Sequence, residues 1–418
     1  MTERTPEEGV PPIPANSLPV KTGSGLALLD GLVVLDLTTS IAGPYGAQLL
    51  GDMGATVIKI ERPGSGDDAR AWGPPFLDGE SLWFQSVNRN KRSVTLDYAS
   101  ERGHPVLARL VEKADVILVN LVSRAQRKLG VDHGTLSKIN PTLIHVSITG
   151  FGLTGTRADK PCYDLIAEGY SGVMDMTGER ENPPQKVGSP AADLLAGQDA
   201  AMAAMGAVIS RGRTGKGCAI DVSMAESMTR FMAPRLLPYL GSGELLRRSG
   251  GRDSVIAIYQ VFDTADEPLT LGLGNDGIWQ RFWGVMGDPD YAARPEYASN
   301  PKRRTHRAAI VEKIAGLLRA QPRDYWLKRF EEAKVPAGPL QRLDQVAQDA
   351  EFHARGLLYA CERDGVQIPQ VGLGIAFDGA SEGCAPPPRL GQDTDAILSG
   401  WLNMTEDEIR AMRSDRII

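Results

Sequence analysis

The chain has 418 residues, 42% hydrophobic and 23% charged, with a net charge of −6. These values exclude a disordered chain, argue against a basic nucleic-acid binder, and leave room for two domains; no apolar run reaches the length of a membrane span. Its five histidines and four cysteines (Cys162, Cys218, Cys361, Cys384) are scattered without a CxxC pair, which argues against a metal site and suits a reducing, cytoplasmic compartment.

Residues 1–25 are rich in Pro, Glu, Ser and Thr and read as a disordered tail, not a signal peptide. Two buried-strand patterns, 33–37 and 56–60, flank a small-residue segment of helical character. The second runs straight into Glu61-Arg62-Pro63-Gly64-Ser65-Gly66. Such a βαβ unit delivers a Gly turn and an arginine to one sheet edge, where α/β folds bind phosphate-bearing ligands. No GxGxxG follows the first strand and no Walker A motif is present, which disfavours dinucleotides and ATP. The polar run Asn88-Arg89-Asn90-Lys91-Arg92 reads either as a solvated loop or, with Arg62 and Arg70, as an anion-facing one. Strand patterns at 93–97, 115–120 and 143–148 then alternate with helical ones at 103–113 and 123–129. Near-continuous Val, Ile and Leu runs at helix-sized intervals predict a parallel sheet covered on both faces, hence an α/β fold.

Residues 177–193 (TGERENPPQKVGSPAAD) form a long loop with three carboxylates and a Pro-Pro stiffener. Loops of that length are functional or disordered, and a fixed carboxylate can act as a nucleophile. No Ser or Cys nucleophile is assignable. Gly169-Tyr170-Ser171-Gly172 lacks the GxSxG form, and Asp164 and Asp193 read as catalytic groups or helix caps. Residues 196–209 read as a tightly packed buried helix, followed by a turn at 212–217 and a strand at 218–222. Pro, Gly and Arg collect in 233–252, which reads as a crossover. Strands at 256–262 and 269–272 and helices at 276–286, 303–320 and 323–333 make a second, α+β unit. Short strands follow at 357–377, and two short helices in 386–418. The organisation expected is a tail (1–25), a large domain (26–228), a crossover linker (229–252), a small α+β domain (253–355), and a return linker with the last part of the large domain (356–418).

Taken together, LDLTTSIAGPYGAQLLGDMGATVIKIERPGSGDDAR, NRNKRSVTLD, SITGFGLTGTRADKPCYDLIAEGYSG and GRTGKGCAIDVSMAES resemble the family III CoA-transferases. The resemblance runs from 29 to about 228, and more weakly to PRLGQDTDAI at 388–397. It is closest in look to succinate–hydroxymethylglutarate CoA-transferases, through GDDARAWGPPF and SVNRNKRS. It implies an interlocked, ring-like homodimer with a Rossmann-like large domain and a smaller α+β domain. It also implies coenzyme A, carried as acyl-CoA, a carboxylic acid acceptor and no need of a metal; composition and charge already speak against a nucleic-acid or membrane partner.

Residue by residue, the resemblance puts Arg62 on a CoA phosphate and Leu96, Asn120, Leu121 and Ala125 at the adenine end. Lys128 stands where some members carry arginine, keeping the charge without the fork geometry. Ile41 replaces a glutamine of formyl-CoA transferase, against formyl or oxalyl substrates. The family's nucleophilic aspartate, in a TGxxDGPP-like loop, falls on Glu181. In the related α-methylacyl-CoA racemases a His–Asp pair falls on Tyr163 and Asp193, and tyrosine is a poor base at neutral pH. Gly250-Gly251 is a candidate lid. Arg235, Arg247, Arg248 or Arg252 would hold the second carboxylate of a succinyl-CoA or dicarboxylate substrate. A racemase-like isomerase and a non-catalytic CoA-binding protein are the alternatives.

Overall fold

The computed structural model describes residues 17–253 and 255–418. They divide into a larger unit (17–172, 187–233 and 347–418) and a smaller one (173–186, 234–253 and 255–346). The expected tail lies outside the described residues as far as residue 16. Beyond it the chain is tied down: Val20 bridges to Ala360 in parallel, and the Lys21 N–H donates to the Ala360 carbonyl at 2.9 Å.

The larger unit is built on six strands: β1 (Val33–Asp36), β2 (Thr56–Glu61), β3 (Lys91–Thr95), β4 (Val116–Val119), β5 (Ile144–Thr149) and β6 (Cys218–Ser223). Their order is β3-β2-β1-β4-β5-β6 and every pairing is parallel. That is the doubly wound 3-2-1-4-5-6 order, whose direction reverses between β1 and β4. The uninterrupted apolar runs follow from this position, since all four residues of β4 are buried. Leu35, Ile58, Val94 and Ile117 share a core with Leu107 and Leu110 and with Ile397 and Leu398 from the far end of the chain.

Helices α1 (Ala42–Asp52), α2 (His104–Val111), α3 (Ser123–Leu129), α4 (Asp164–Ser171), α5 (Ala191–Thr214) and α6 (Met224–Phe231) connect or cover these strands. Glycines let α1 and α5 approach closely. A Cβ on Gly46 would lie 2.8 Å from the Gly197 carbonyl oxygen, and one on Gly197 would lie 2.5 Å from that of Ala42. The expectation of a wholly buried helix at 196–209 needs correction. Only the small-residue face through Ala204 is buried, while Met202 and Ile209 are exposed.

The basic run 88–92 also departs from its reading as a solvated or anion-facing loop. Asn88, Arg89, Asn90 and Lys91 are buried. Arg89 makes a fork of 3.0 and 2.7 Å bonds to Asp52, at the end of α1, and Lys91 pairs with Asp36 at 2.9 Å. Arg70 is likewise engaged, by both oxygens of Glu61 at 2.7 and 2.8 Å. These cations neutralise buried carboxylates and are not offered to a ligand.

The outer edge of β3 is closed by the end of the chain. The Ser93 N–H donates to Asp393 Oδ2 and the Thr95 N–H to Thr394 Oγ1, both at 3.0 Å, and the Asp97 N–H to the Ile417 carbonyl at 2.7 Å. Alternate residues of an edge strand turn their N–H groups outward, and here successive ones find partners.

Helix Ala233–Ser242, with Pro238 inside it, occupies much of the segment read as a crossover. The smaller unit carries an antiparallel sheet of β7 (Tyr259–Phe262), β8 (Leu269–Gly272) and β9 (Ala337–Pro339) in the order β9-β8-β7. Trp279, Phe282 and Trp283 pack there with Ile310, Ile314 and Phe330. Back in the larger unit, β10 (Leu358–Arg363) and β11 (Val366–Val371) form a hairpin over Asp364-Gly365. Both turn residues have positive φ, 53° and 79°, as a type I′ turn requires. Cys361 on β10 is disulfide-bonded to Cys384, so the scattered cysteines are not all free thiols.

Candidate active site

The β1–α1 turn is fixed residue by residue from neighbouring strand ends. Lys59, fully buried on β2, donates to the Thr38 carbonyl at 2.8 Å and pairs with Asp67 at 2.9 Å. Asn120, just past β4, grips both sides of Thr39: its Oδ1 accepts the Thr39 N–H at 3.2 Å and its Nδ2 donates to the Thr39 carbonyl at 2.8 Å. The Ser40 N–H donates to Asp67 Oδ1 at 2.9 Å, holding Ser40 at φ 71°, a left-handed conformation rare outside glycine. Burial alone would push Asp36 up, but Lys59 and Lys91 hold it down at about 2. Asp36, which accepts the Thr38 N–H at 3.0 Å, therefore stays ionised at neutral pH.

A cavity of about 340 Å³ opens where this turn meets the ends of β4 and β5. It lies at the β1/β4 reversal, the switch point at which doubly wound sheets bind ligands. Ser40 and Ala42 bring the N-terminus of α1 to it, and a helix N-terminus favours anions. Lys160 adds an exposed cation. Across the cleft stand Cys162, Tyr163 and Asp193. Asp164, the first residue of α4, caps α5 instead of its own helix, accepting the N–H groups of Ala192 and Asp193 at 2.8 and 3.3 Å. Burial, and then the nearby Asp164 charge, raise Asp193 to about 7. Burial, with Asp193 next, pushes the Cys162 thiol up to about 11, so it is no nucleophile at neutral pH.

In the smaller unit, the loop read as carrying a nucleophile is short of regular structure but well tied. The Thr177 hydroxyl donates to the Val173 carbonyl at 2.8 Å, and the Asn182 N–H closes a turn onto the Glu179 carbonyl at 3.1 Å. Glu181 is exposed on that turn, and among the described residues no cation pairs with it. Opposite runs the segment 248–252. The Gly250 N–H donates to the Gly178 carbonyl at 2.9 Å, and Arg252 pairs with Glu179 at 3.4 Å. Gly250, Gly251 and Arg252 also wall a cavity of about 580 Å³ against β7, β8 and β9.

Residues 29–394 match the sequence profile of CoA-transferase family III. This chain belongs to CoA-transferase family III. It is 38% identical over 380 residues to the succinate–glutarate CoA-transferase of Agrobacterium fabrum, covering 89% of this chain and 95% of that protein. It is 37% identical over 341 residues to the acetyl-CoA:oxalate CoA-transferase of Acetobacter aceti, covering 81% and 87%. A CAIB/BAIF family protein from Brucella suis has a crystal structure that matches with a TM-score of 0.79 at 36% identity, covering 89% of this chain and 99% of that one. The parallel α/β fold is thus shared with solved relatives, and the chain is an enzyme that transfers CoA.

Within this family III transferase, Asn120, Leu121, Ala125 and Asp193 come together on the switch-point cleft. Asn120 contributes mainly architecture, because its amide is engaged by Thr39. Arg62 does not line the cleft but pairs with Asp68, which does. Leu96 is fully buried in the core, so its side chain is not offered at an adenine site. Lys128 is exposed in the last turn of α3 and is not among the residues that line the cleft. Tyr163 lines the cleft and is 69% exposed. Ile41, read only as a departure from glutamine, is buried at the start of α1.

Gly250-Gly251 is no loose lid: the Gly251 carbonyl accepts the Val261 N–H at 3.0 Å, and Arg252 bridges to Gln260 beside it. Of the four arginines considered for a second carboxylate, Arg235 pairs with Asp253 and Arg252 with Glu179. Arg248 is taken by the loop itself. Arg247 is exposed and has no acidic partner among the described residues. Sequence reasoning missed Lys160; its one signal was a lone Lys-Pro directly ahead of Cys162-Tyr163. Among the described residues no His, Cys, Asp and Glu cluster is arranged to hold a metal, and no helix is long and apolar enough to cross a membrane.

Proposed function

We propose that the enzyme moves CoA from succinyl-CoA to a dicarboxylic acid through a covalent adduct on Glu181. The observation that carries this reading is the Glu181 carboxylate, exposed with no counter-ion among the described residues on a turn whose backbone is held from both sides. A carboxylate oxygen attacks the thioester carbonyl and the C–S bond breaks, giving a mixed anhydride and CoA thiolate. The thiolate attacks the Glu181 carbonyl of the anhydride, which releases the donor acid and leaves an enzyme–CoA thioester. The acceptor carboxylate then repeats these two steps in reverse. No net proton moves, and each step exchanges acyl groups of similar activation. Water must be excluded, because both intermediates hydrolyse.

Both relatives named above act, by their names, on dicarboxylates, succinate and glutarate in one and oxalate in the other, which supports a dicarboxylic acceptor. The switch-point cleft, with the α1 N-terminus and Lys160, suits an anionic part of CoA. Arg62, beside it through Asp68, suits a phosphate, and the backbone around Leu121 and Ala125 suits the adenine end. We also propose an interlocked homodimer. Supporting it, Leu237, Leu240 and Leu245 are each about two-thirds exposed in the single chain.

The test is incubation with succinyl-CoA, hydroxylamine trapping and peptide mass spectrometry. Wild-type protein should carry the label on Glu181, and Glu181→Gln should lose both label and turnover. A labelled Asp164 or Asp193 would move the nucleophile elsewhere.

One observation favours a second reading, α-proton transfer. Asp193, at about 7 in the cleft, is tuned as a general acid–base group. Deuterium uptake at the acyl α-carbon, without any adduct, is its signature.

A further inference from the structure

Arg248 was grouped above with the arginines available to substrate, but its donors point elsewhere. Its side chain is 17% exposed. Its Nε donates to the carbonyls of Glu179 and Asn182 at 3.2 and 2.9 Å. Its Nη1 donates to the carbonyl and to Oδ1 of Asp175 at 3.2 and 3.0 Å. One guanidinium thus ties two residues of the loop, Glu179 and Asn182, to Asp175 of the helical turn Val173–Met176 that precedes it. The Glu179 and Asn182 carbonyls bracket residues 180 and 181, so the clamp closes around the residue that presents the carboxylate.

The loop has few other means of holding that shape. Residues 177–190 form no helix or strand, and a turn closed by one backbone bond would leave Glu181 free to swing. A planar fork with fixed donor directions suits this task, and a lysine ammonium does not reproduce it. Hydrogen bonds from a charged donor are also the stronger kind. The neighbouring backbone completes the brace. Gly250 bonds to Gly178 and has φ +60°, and any Cβ there would collide with the Glu179 carboxylate.

We infer that Arg248 is a positioning residue for Glu181, fixing the turn that aims the nucleophile without itself touching substrate. This rests on the reading of Glu181 given above. It predicts a loss concentrated in the chemical step, because misplacing a reacting group by about 1 Å costs on the order of 10²-fold in rate.

The experiment compares Arg248→Gln, Arg248→Lys and Glu181→Gln with succinyl-CoA and glutarate as the probes, reading kcat, both KM values, adduct formation in a single turnover, and the melting curve. Arg248→Gln should lower kcat about 10²-fold and slow Glu181 labelling equally, with both KM values within about threefold of wild type. Arg248→Lys should recover only part of the loss. If Arg248→Gln does not fold, Arg248→Lys decides alone: reduced kcat at unchanged KM supports the inference, and wild-type kcat overturns it. A raised KM for glutarate with kcat intact would make Arg248 a substrate contact and overturn it too. An inactive Glu181→Gln beside a fully active Arg248→Gln sinks this inference alone. A Glu181→Gln enzyme that still turns over sinks the Glu181 reading and this inference with it.

Discussion

Asp193 sits in the first turn of α5, where the helix N-terminus favours its charge, yet burial and Asp164 prevail and raise it to about 7. An unfolded aspartate titrates near 3.9. Between about pH 4 and pH 7 the folded state therefore holds a proton that the unfolded state has lost, and stability falls as pH rises through that window. Asp193→Asn should remove the decline. The difference in melting temperature, variant minus wild type, should be small below pH 4 and grow in the variant's favour between pH 5 and pH 8. A difference that is flat with pH would mean that Asp193 ionises normally. A second residue-scale expectation concerns Arg247, exposed and without an acidic partner among the described residues. Arg247→Gln should raise KM for glutarate about tenfold, the scale of one solvent-screened charged contact, and leave a monocarboxylate acceptor unchanged. Equal effects on both acceptors would remove it from substrate recognition.

At the scale of elements, the α1–α5 contact ties helix packing to the cleft. Gly197 faces the carbonyl of Ala42, the first residue of α1 and part of the cleft wall. Gly197→Ala should cost about 1–3 kcal/mol of stability by overpacking, and should also raise KM for acyl-CoA because the α1 N-terminus must move. Calorimetry alongside kinetics checks both halves. Element-scale features were also the most legible in the sequence. Unbroken Val, Ile and Leu runs at helix-sized intervals announce a doubly covered parallel sheet, and β1, β2, β4, β5 and β6 stand where those runs are. The run 88–92 was misread because nothing local reveals its partners. Asp52 and Asp36 lie 37 and 55 residues away, and only the folded sheet brings them under Arg89 and Lys91. The 177–190 loop was legible as a long structureless stretch, but the arginine that shapes it enters from 66 to 69 residues further on.

At the scale of the whole molecule, the exposed side chains of Leu237, Leu240 and Leu245 are expected to be covered by a second copy. Leu237→Lys combined with Leu240→Lys should shift the protein from dimer to monomer or aggregate in light scattering, with loss of turnover. A monodisperse, fully active double variant would refute the homodimer. The larger unit itself is drawn from three separate stretches of chain, and the closure of β3 has a consequence in time. Ser93 and its acceptor Asp393 are 300 residues apart. A ribosome adding 5–20 residues per second needs roughly 15–60 s to travel that distance. Through that interval the nascent sheet presents an open strand to whatever else is being made nearby, and the wait for residues 393–417 sets how long it does so.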